Sequence, residues 1–250
     1  MSFLYNEFLY RPLLNALVFI YDFISFEDLG LAVILLTVFI RLILFPLFHK
    51  GSKNQAIIQK IQPKIKEISD NFKDNKEEQV KRIMEIYKEN KINPFSGILL
   101  LLIQLPILLA LFHVFYYGLS STDSFSLLYS FVPKPESFNF SFLGLINLKE
   151  PSIIVVVLAA AFQYFQGWLS LPASRGKSQN PAEDLGKKMV LIGPFLTFFI
   201  LYSLPSVVGL YWITTSIFSS LQQIIINNSL KKNDRDKENL RGTLKTDEHR

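Results

Sequence analysis

Five runs of apolar residues punctuate the chain, at 29–48, 95–117, 152–171, 189–205 and 208–229. Each approaches the roughly 20 residues that a helix needs to cross a bilayer. The last two runs are joined across Leu204-Pro205-Ser206, which predicts a tight helical hairpin. Pro194 lies near the start of the fourth run, where neighbouring helices can satisfy the backbone groups that a proline frees. Residues 1–27 follow another pattern: Arg11, Asn15 and Asp22 fall on one side of a helical wheel, and Leu13, Leu14, Leu17, Ile20, Tyr21 and Ile24 cover the rest. This predicts an amphipathic helix in the outer membrane interface, with an additional span as the alternative. A signal peptide is not expected, because no basic residue precedes Arg11 and no small-x-small site follows.

Between the first two runs, residues 49–92 are polar but periodic. Ile57, Ile61, Ile65, Ile68 and Phe72 form one stripe, and Val80, Ile83, Met84 and Tyr87 form a second at i, i+3, i+4, i+7 spacing. Pro63 predicts a helix start or kink, and Asp74-Asn75 a turn. The expected element is a cytoplasmic helical hairpin whose two stripes face each other. The loop at 119–151 mixes Ser, Phe and Pro without a clear period, and residues 230–250 are charged and poor in apolar residues, which predicts a disordered tail. No internal repeat is visible, which counts against inverted-repeat transporters.

Charge orients these runs. Twenty-two Lys and Arg fall in the segments 49–92, 172–188 and 230–250, against three (Arg11, Lys134 and Lys149) in the other connections. Short basic loops stay in the cytoplasm, so the expected topology is N-out and C-in, an all-α polytopic membrane protein with five spans. The seven carboxylates interleaved with the basic residues of 53–91 argue against specific nucleic-acid binding. Composition agrees: half of the 250 residues are hydrophobic, 19% are charged and the mean hydropathy is +0.27. With no cysteine there is no disulfide, thiolate metal site or thiol nucleophile. No cofactor and no metal is expected.

One residue breaks the apolar pattern. Arg41 is the only formally charged residue inside the five runs, and no Asp or Glu lies in any of them. A proton-coupled pump needs a titratable relay within the membrane, usually of carboxylates, and an arginine does not titrate. Counted to Phe48, Arg41 sits about 10 Å from the cytoplasmic end of its run, at 1.5 Å per residue. Snorkelling to the headgroups would accommodate it; a wet cavity within the bundle is the other reading. Polar stripes elsewhere favour the cavity. Thr37 lies one turn before Arg41; Gln163, Gln166 and Ser170 share a face of the third run; Trp212, Thr215, Ser216, Ser219, Gln222 and Gln223 share one of the fifth; Gln104 stands beside Pro106 in the second. Polar residues in spans also serve as interhelical glue. That role covers one or two of them but poorly covers three stripes and an unpaired arginine. A hydrated, positively charged groove open to the cytoplasm accounts for all. It would lower the cost of carrying unsatisfied backbone part-way through hydrocarbon and would attract a carboxylate.

Several segments then resemble a known family. TVFIRLILFPL (37–47), IQPKIKEI (61–68), IYKENKINPFSG (86–97), LLIQLPILLALFHVF (101–115), FLGLINL (142–148) and GLYWITTSIFSSLQQ (209–223) are together similar to the YidC/Oxa/Alb membrane-protein insertases, over about residues 10–230. The resemblance implies five spanning helices, an outer amphipathic helix, a mobile cytoplasmic hairpin that recruits substrates, and a hydrophilic groove open to cytoplasm and lipid but closed outside. It implies that Arg41 is the groove arginine, that Gln163 and Trp212 are groove residues, and that the second and fifth spans guide the incoming helix. The expected groove comprises Arg41, Thr37, Gln163, Trp212, Thr215, Ser216 and Ser219, without catalytic residues.

Ser216 stands where the family often has Asn, and Ile98 where it often has Cys; neither removes a charge or a span. The implied form is a minimal bacterial one in the cell inner membrane. The expected partners are nascent membrane proteins and the lipid bilayer, acting on a monomer; the charge-balanced tail argues against strong ribosome tethering, and a ribosome and a Sec-type translocon stay open as partners. The competing functions are a small-anion transporter or channel centred on Arg41, and a structural subunit of a translocase.

Overall fold

The computed structural model describes residues 3–119, 122–171 and 181–247. It is almost wholly helical. The chain enters through α1 (Phe3–Tyr5) and a π-helical turn (Asn6–Tyr10) that runs directly into α2 (Arg11–Phe23). Then come α3 (Leu29–Ile43), α4 (Phe45–Asn71), α5 (Lys76–Glu89), α6 (Ser96–His113) with a second π-helical turn (Val114–Gly118), α7 (Ile153–Leu169), α8 (Pro181–Tyr202) and α9 (Ser206–Asp247). The loop between α6 and α7 carries a short 3-10 turn (Thr122–Leu127) and a two-stranded antiparallel ribbon, β1 (Ser141–Phe142) with β2 (Ile146–Asn147), in which Ser141 faces Asn147. Leu143 and Gly144 at its tip both take positive φ, 50° and 71°, as a tight hairpin turn with the twist of its strands demands.

Asp28 starts α3 as its N-cap: one carboxylate oxygen accepts from Leu31 N at 2.9 Å, and the other accepts from Leu143 N at 2.7 Å, tying the ribbon to the helix end. The polar side of α2 is divided: Asp22 is exposed and Arg11 half-buried, but Asn15 is withdrawn from the surface. Asn15 is buried; its Oδ1 accepts from Tyr129 N at 2.6 Å and its Nδ2 donates to Leu127 O at 3.0 Å, so that side chain fastens the loop between α6 and α7 to α2. α7 packs on α8 and α9, and α3 packs on α9 and α2. The main apolar core includes Leu17, Val33, Leu36, Leu111, Val114, Val156, Leu201 and Val208. These lie where α3, α7 and α9 begin and α6 and α8 end, so that end of the bundle is sealed.

Three expectations need correction. The first run is not one helix over 29–48: it breaks at Leu44, and α4 leaves α3 at 70°. Pro46, in the first turn of α4, explains the break, since it supplies no N–H to continue the α3 ladder but suits a helix start. Among the described residues no single helix is long and apolar enough to cross a membrane; α3 and α4 together meet that test as a bent pair. Secondly, α9 continues through Asp247, so residues 230–247 are helical rather than disordered. They contain no proline, and extending an existing helix avoids the cost of nucleation. Thirdly, Pro63 does not start a helix but lies inside α4, which leaves a kink as the one of its two expected roles still open to it. Arg175 and Lys177 of the basic connection lie outside the described residues.

α4 and α5 pack against each other as a helical hairpin. Ile61 and Ile65 of α4 are buried with Ile92, and Ile57, Ile83, Ile86 and Tyr87 pack around them. Val80 and Met84 are exposed, so the second stripe is rotated from the expected face. Asn75 caps α5, Gln79 Nε2 donates to Ser69 O of α4 at 2.8 Å, and Arg82 bridges Glu78 and Glu85 at 2.8 and 3.4 Å on the outer face.

Candidate functional site

The end of the bundle opposite the apolar core holds a polar cavity of about 450 Å³. Four helices of the bundle and the first turns of α4 build it. α3 contributes Arg41; α4 contributes Phe48, Ser52 and Gln55; α6 contributes Gln104 and Leu108; α7 contributes Gln163, Gln166 and Ser170. α9 supplies Tyr211, Trp212, Thr215, Ser216, Ser219, Gln222 and Gln223 along successive turns. Gly51 lets the wall close: a Cβ there would lie 2.5 Å from Leu100 Cδ1 of α6.

Arg41 is 7% exposed and sits in the last turn of α3, where its charge complements the helix dipole. The elbow at Leu44 therefore places it two residues from a helix end. Its guanidinium lies over the Phe48 ring, with Cζ 4.5 Å from the centroid. Among the described residues it makes no hydrogen bond or ion pair, and no carboxylate lines the cavity. A weakly hydrated, planar cation tolerates a ring face well, but its hydrogen-bond donors remain unspent. What fits beside it is an acceptor, above all an anionic one.

The opposite wall is fixed by one amide. Gln163 Oε1 accepts from Trp212 Nε1 at 2.7 Å and also from the hydroxyl of Thr197, a buried residue of α8. One carbonyl thus joins α7, α8 and α9. Across the cavity, Gln104 Nε2 donates to the Tyr211 hydroxyl, linking α6 to α9. Lower on α9, Gln223 Nε2 donates to Asn227 Oδ1 at 3.0 Å, and Asn227 Nδ2 donates to the Leu169 carbonyl at the end of α7 at 2.9 Å.

Six of the seven expected groove residues line this cavity: Arg41, Gln163, Trp212, Thr215, Ser216 and Ser219. Thr37 does not. It is 2% exposed, and its hydroxyl donates to Val33 O at 2.6 Å, within its own helix. A residue one turn from Arg41 shares its helical face, but Thr37 lies deeper, where apolar neighbours leave the hydroxyl only its own backbone to bond. Sequence reasoning passed over Phe48, Tyr211 and Thr197. An aromatic residue in an apolar run carries no polarity signal, and Thr197 interrupts its run only once.

The family model described as 60Kd inner membrane protein matches residues 19–234. The chain belongs to this family. Relatives in it include the membrane protein insertase YidC of Francisella philomiragia, 34% identical over 197 residues, and that of Francisella tularensis subsp. novicida, 35% identical over 197 residues. Each match covers 79% of this chain and 32% of the relative, so the chain spans about a third of the length of the curated relatives it matches. The residues matched by the 60Kd inner membrane protein family include every described residue that lines the cavity.

Proposed function

We propose that this chain is a membrane insertase and chaperone, not an enzyme, that takes hydrophobic segments of newly made proteins from the cytoplasmic side into the lipid bilayer. The observation that carries the reading is the unpaired Arg41 guanidinium in a cavity of amides and hydroxyls that holds no carboxylate. A site that lacks its own counter-charge, on the side of the bundle that the basic segments mark as cytoplasmic, suits an anion that arrives and leaves. The groove comprises Arg41, Gln163, Trp212, Thr215, Ser216 and Ser219. The polar end of a substrate enters it while its apolar helix moves along α6 and α9 into lipid.

On this reading α3, α6, α7, α8 and the first half of α9 span a bacterial inner membrane, N-out and C-in. Residues 1–27 form the outer interfacial helix, and 49–92 the cytoplasmic hairpin. α3 has 15 residues and α7 has 17, about 22 and 25 Å at 1.5 Å per residue. Both fall short of a hydrocarbon core of about 30 Å. A bilayer thins to meet short spans, and a thinner, partly hydrated barrier shortens the path over which a substrate's backbone is unsatisfied. Charge-assisted hydrogen bonds of about 1.5–3 kcal/mol each offset part of the remaining cost.

The test is reconstitution of the purified protein in liposomes with a single-spanning substrate bearing an acidic N-terminal tail. Insertion, read as protease protection of the tail, is the expected result. Solute flux without insertion would establish the anion-channel alternative instead.

A further inference from the structure

A second cavity, of about 210 Å³, lies at the sealed end of the bundle. Phe112, Phe115 and Tyr116 of the α6 end, Phe140 and Lys149 of the outer loop, and Val208 of α9 form its walls. Among the described residues Lys149 is the only charged one in its lining, with Nζ 3.8 Å from the centroid of Phe140. The neighbouring Glu150 turns elsewhere: its carboxylate accepts from Asn147 Nδ2 at 2.9 Å, and its backbone carbonyl accepts from Ser206.

Both cavities are lined by α6 and α9. On α6, Leu108 lines the Arg41 cavity and Phe112 the outer one; on α9, Tyr211 lines the first and Val208 the second. Three or four residues are one helical turn, about 5 Å. The turns between carry Leu109, Ala110 and Leu111 on α6 and Gly209 and Leu210 on α9, all buried but Leu109, which faces outward. An apolar septum one turn thick therefore divides a cytoplasmic cavity with one unpaired cation from an outer cavity with another.

We propose that the outer cavity is a receiving site for the carboxylate-bearing leading end of a translocated polypeptide segment, with Lys149 as its counter-charge. The proposal rests on the insertase reading above. Arg41 draws the acidic end to the inner face of the septum. Once across, its carboxylate takes the ammonium from the Phe140 ring, and the aromatic walls hold the flanking apolar residues. Handing the charge from one cation to the next disfavours slipping back.

The test uses the full chain in proteoliposomes with two versions of one single-spanning substrate, its N-terminal tail carrying either Asp or Asn. Lys149→Glu is compared with Lys134→Glu, which removes another outer cation, one that rests on Phe125 away from this cavity. Lys149→Glu is expected to lower insertion of the Asp-tailed substrate about fivefold, the scale of an exposed charge contact, with the Asn-tailed substrate unchanged and Lys134→Glu without effect on either. A photo-crosslinking phenylalanine analogue at Tyr116 is expected to capture the Asp tail. Equal insertion by Lys149→Glu and the unsubstituted protein, or equal losses from both substitutions, overturns the receiving site while leaving the insertase reading standing. Failure of the unsubstituted protein to insert either substrate overturns the insertase reading, and the receiving site with it.

Discussion

Removing the amide of Gln163 isolates the polar junction of α7, α8 and α9. Gln163→Leu keeps the approximate volume but deletes the oxygen that accepts from both Trp212 and Thr197. The two donors then fare differently. Trp212 lines the cavity, where water can replace the lost acceptor. Thr197 is 3% exposed and has no such access. An unsatisfied buried polar group costs about 1–3 kcal/mol. The Thr197 hydroxyl can rotate toward the carbonyl one turn back in α8, as Thr37 and Thr214 do in their own helices, which places the net loss near the low end. For a chain of this size about 1 kcal/mol corresponds to roughly 2–4 °C in Tm, so Gln163→Leu should melt a few degrees lower, followed by tryptophan fluorescence in detergent. The decisive measurement is the double variant. Thr197→Val removes the orphaned hydroxyl, so Gln163→Leu/Thr197→Val should lose about 1 kcal/mol less than the sum of the single variants, the coupling expected of directly bonded residues. Strictly additive losses, or no loss for Gln163→Leu alone, would refute the junction.

Three further outcomes follow from other parts of the molecule. Arg41→Ala should reduce insertion of acidic-tailed substrates while sparing neutral-tailed ones, and equal insertion of both by that variant would remove Arg41 from the recognition step. Asn15→Leu should leave Tyr129 N without its partner, while Leu127 O keeps its bond from Arg11 Nε, costing about 1–3 kcal/mol and accelerating hydrogen exchange at Tyr129; unchanged exchange there would contradict the fastening role. Burial raises the Tyr87 phenol above its ordinary value of 10.0, so the folded hairpin holds that proton more tightly than the unfolded chain. Its contribution is fully present below pH 10.0 and is lost as the pH rises beyond it, so hairpin stability should fall more steeply in alkali for the unsubstituted protein than for Tyr87→Phe, as followed by circular dichroism.

The amides and hydroxyls of α7 and α9 were legible from the sequence because a period of 3.6 puts them on one face, and a polar stripe in an apolar run has no bland explanation along its whole length. The same period misassigned Thr37, since a helical wheel records direction but not depth. The stop at Leu44 was hidden for a different reason. Phe45-Pro46-Leu47-Phe48 is as apolar as what precedes it, and hydropathy does not distinguish a proline that kinks a span from one that begins the next helix. Tyr211 and Phe48 stayed hidden because their function depends on which side chain lies opposite, which only the tertiary arrangement supplies.

The elbow at Leu44 also joins two parts that the sequence separates. Arg41 belongs to the bundle, but the ring beneath its guanidinium belongs to α4, the first arm of the α4–α5 hairpin. α4 is 27 residues long, about 40 Å at 1.5 Å per residue, and Phe48 sits near its pivot. The arm is a long lever with a short output end. A displacement of several ångströms at the far end of the hairpin becomes a fraction of an ångström at the ring, enough to loosen or tighten the seat of a cation whose stacking depends on close approach. Contact with the arm and availability of the charge are therefore mechanically geared to each other.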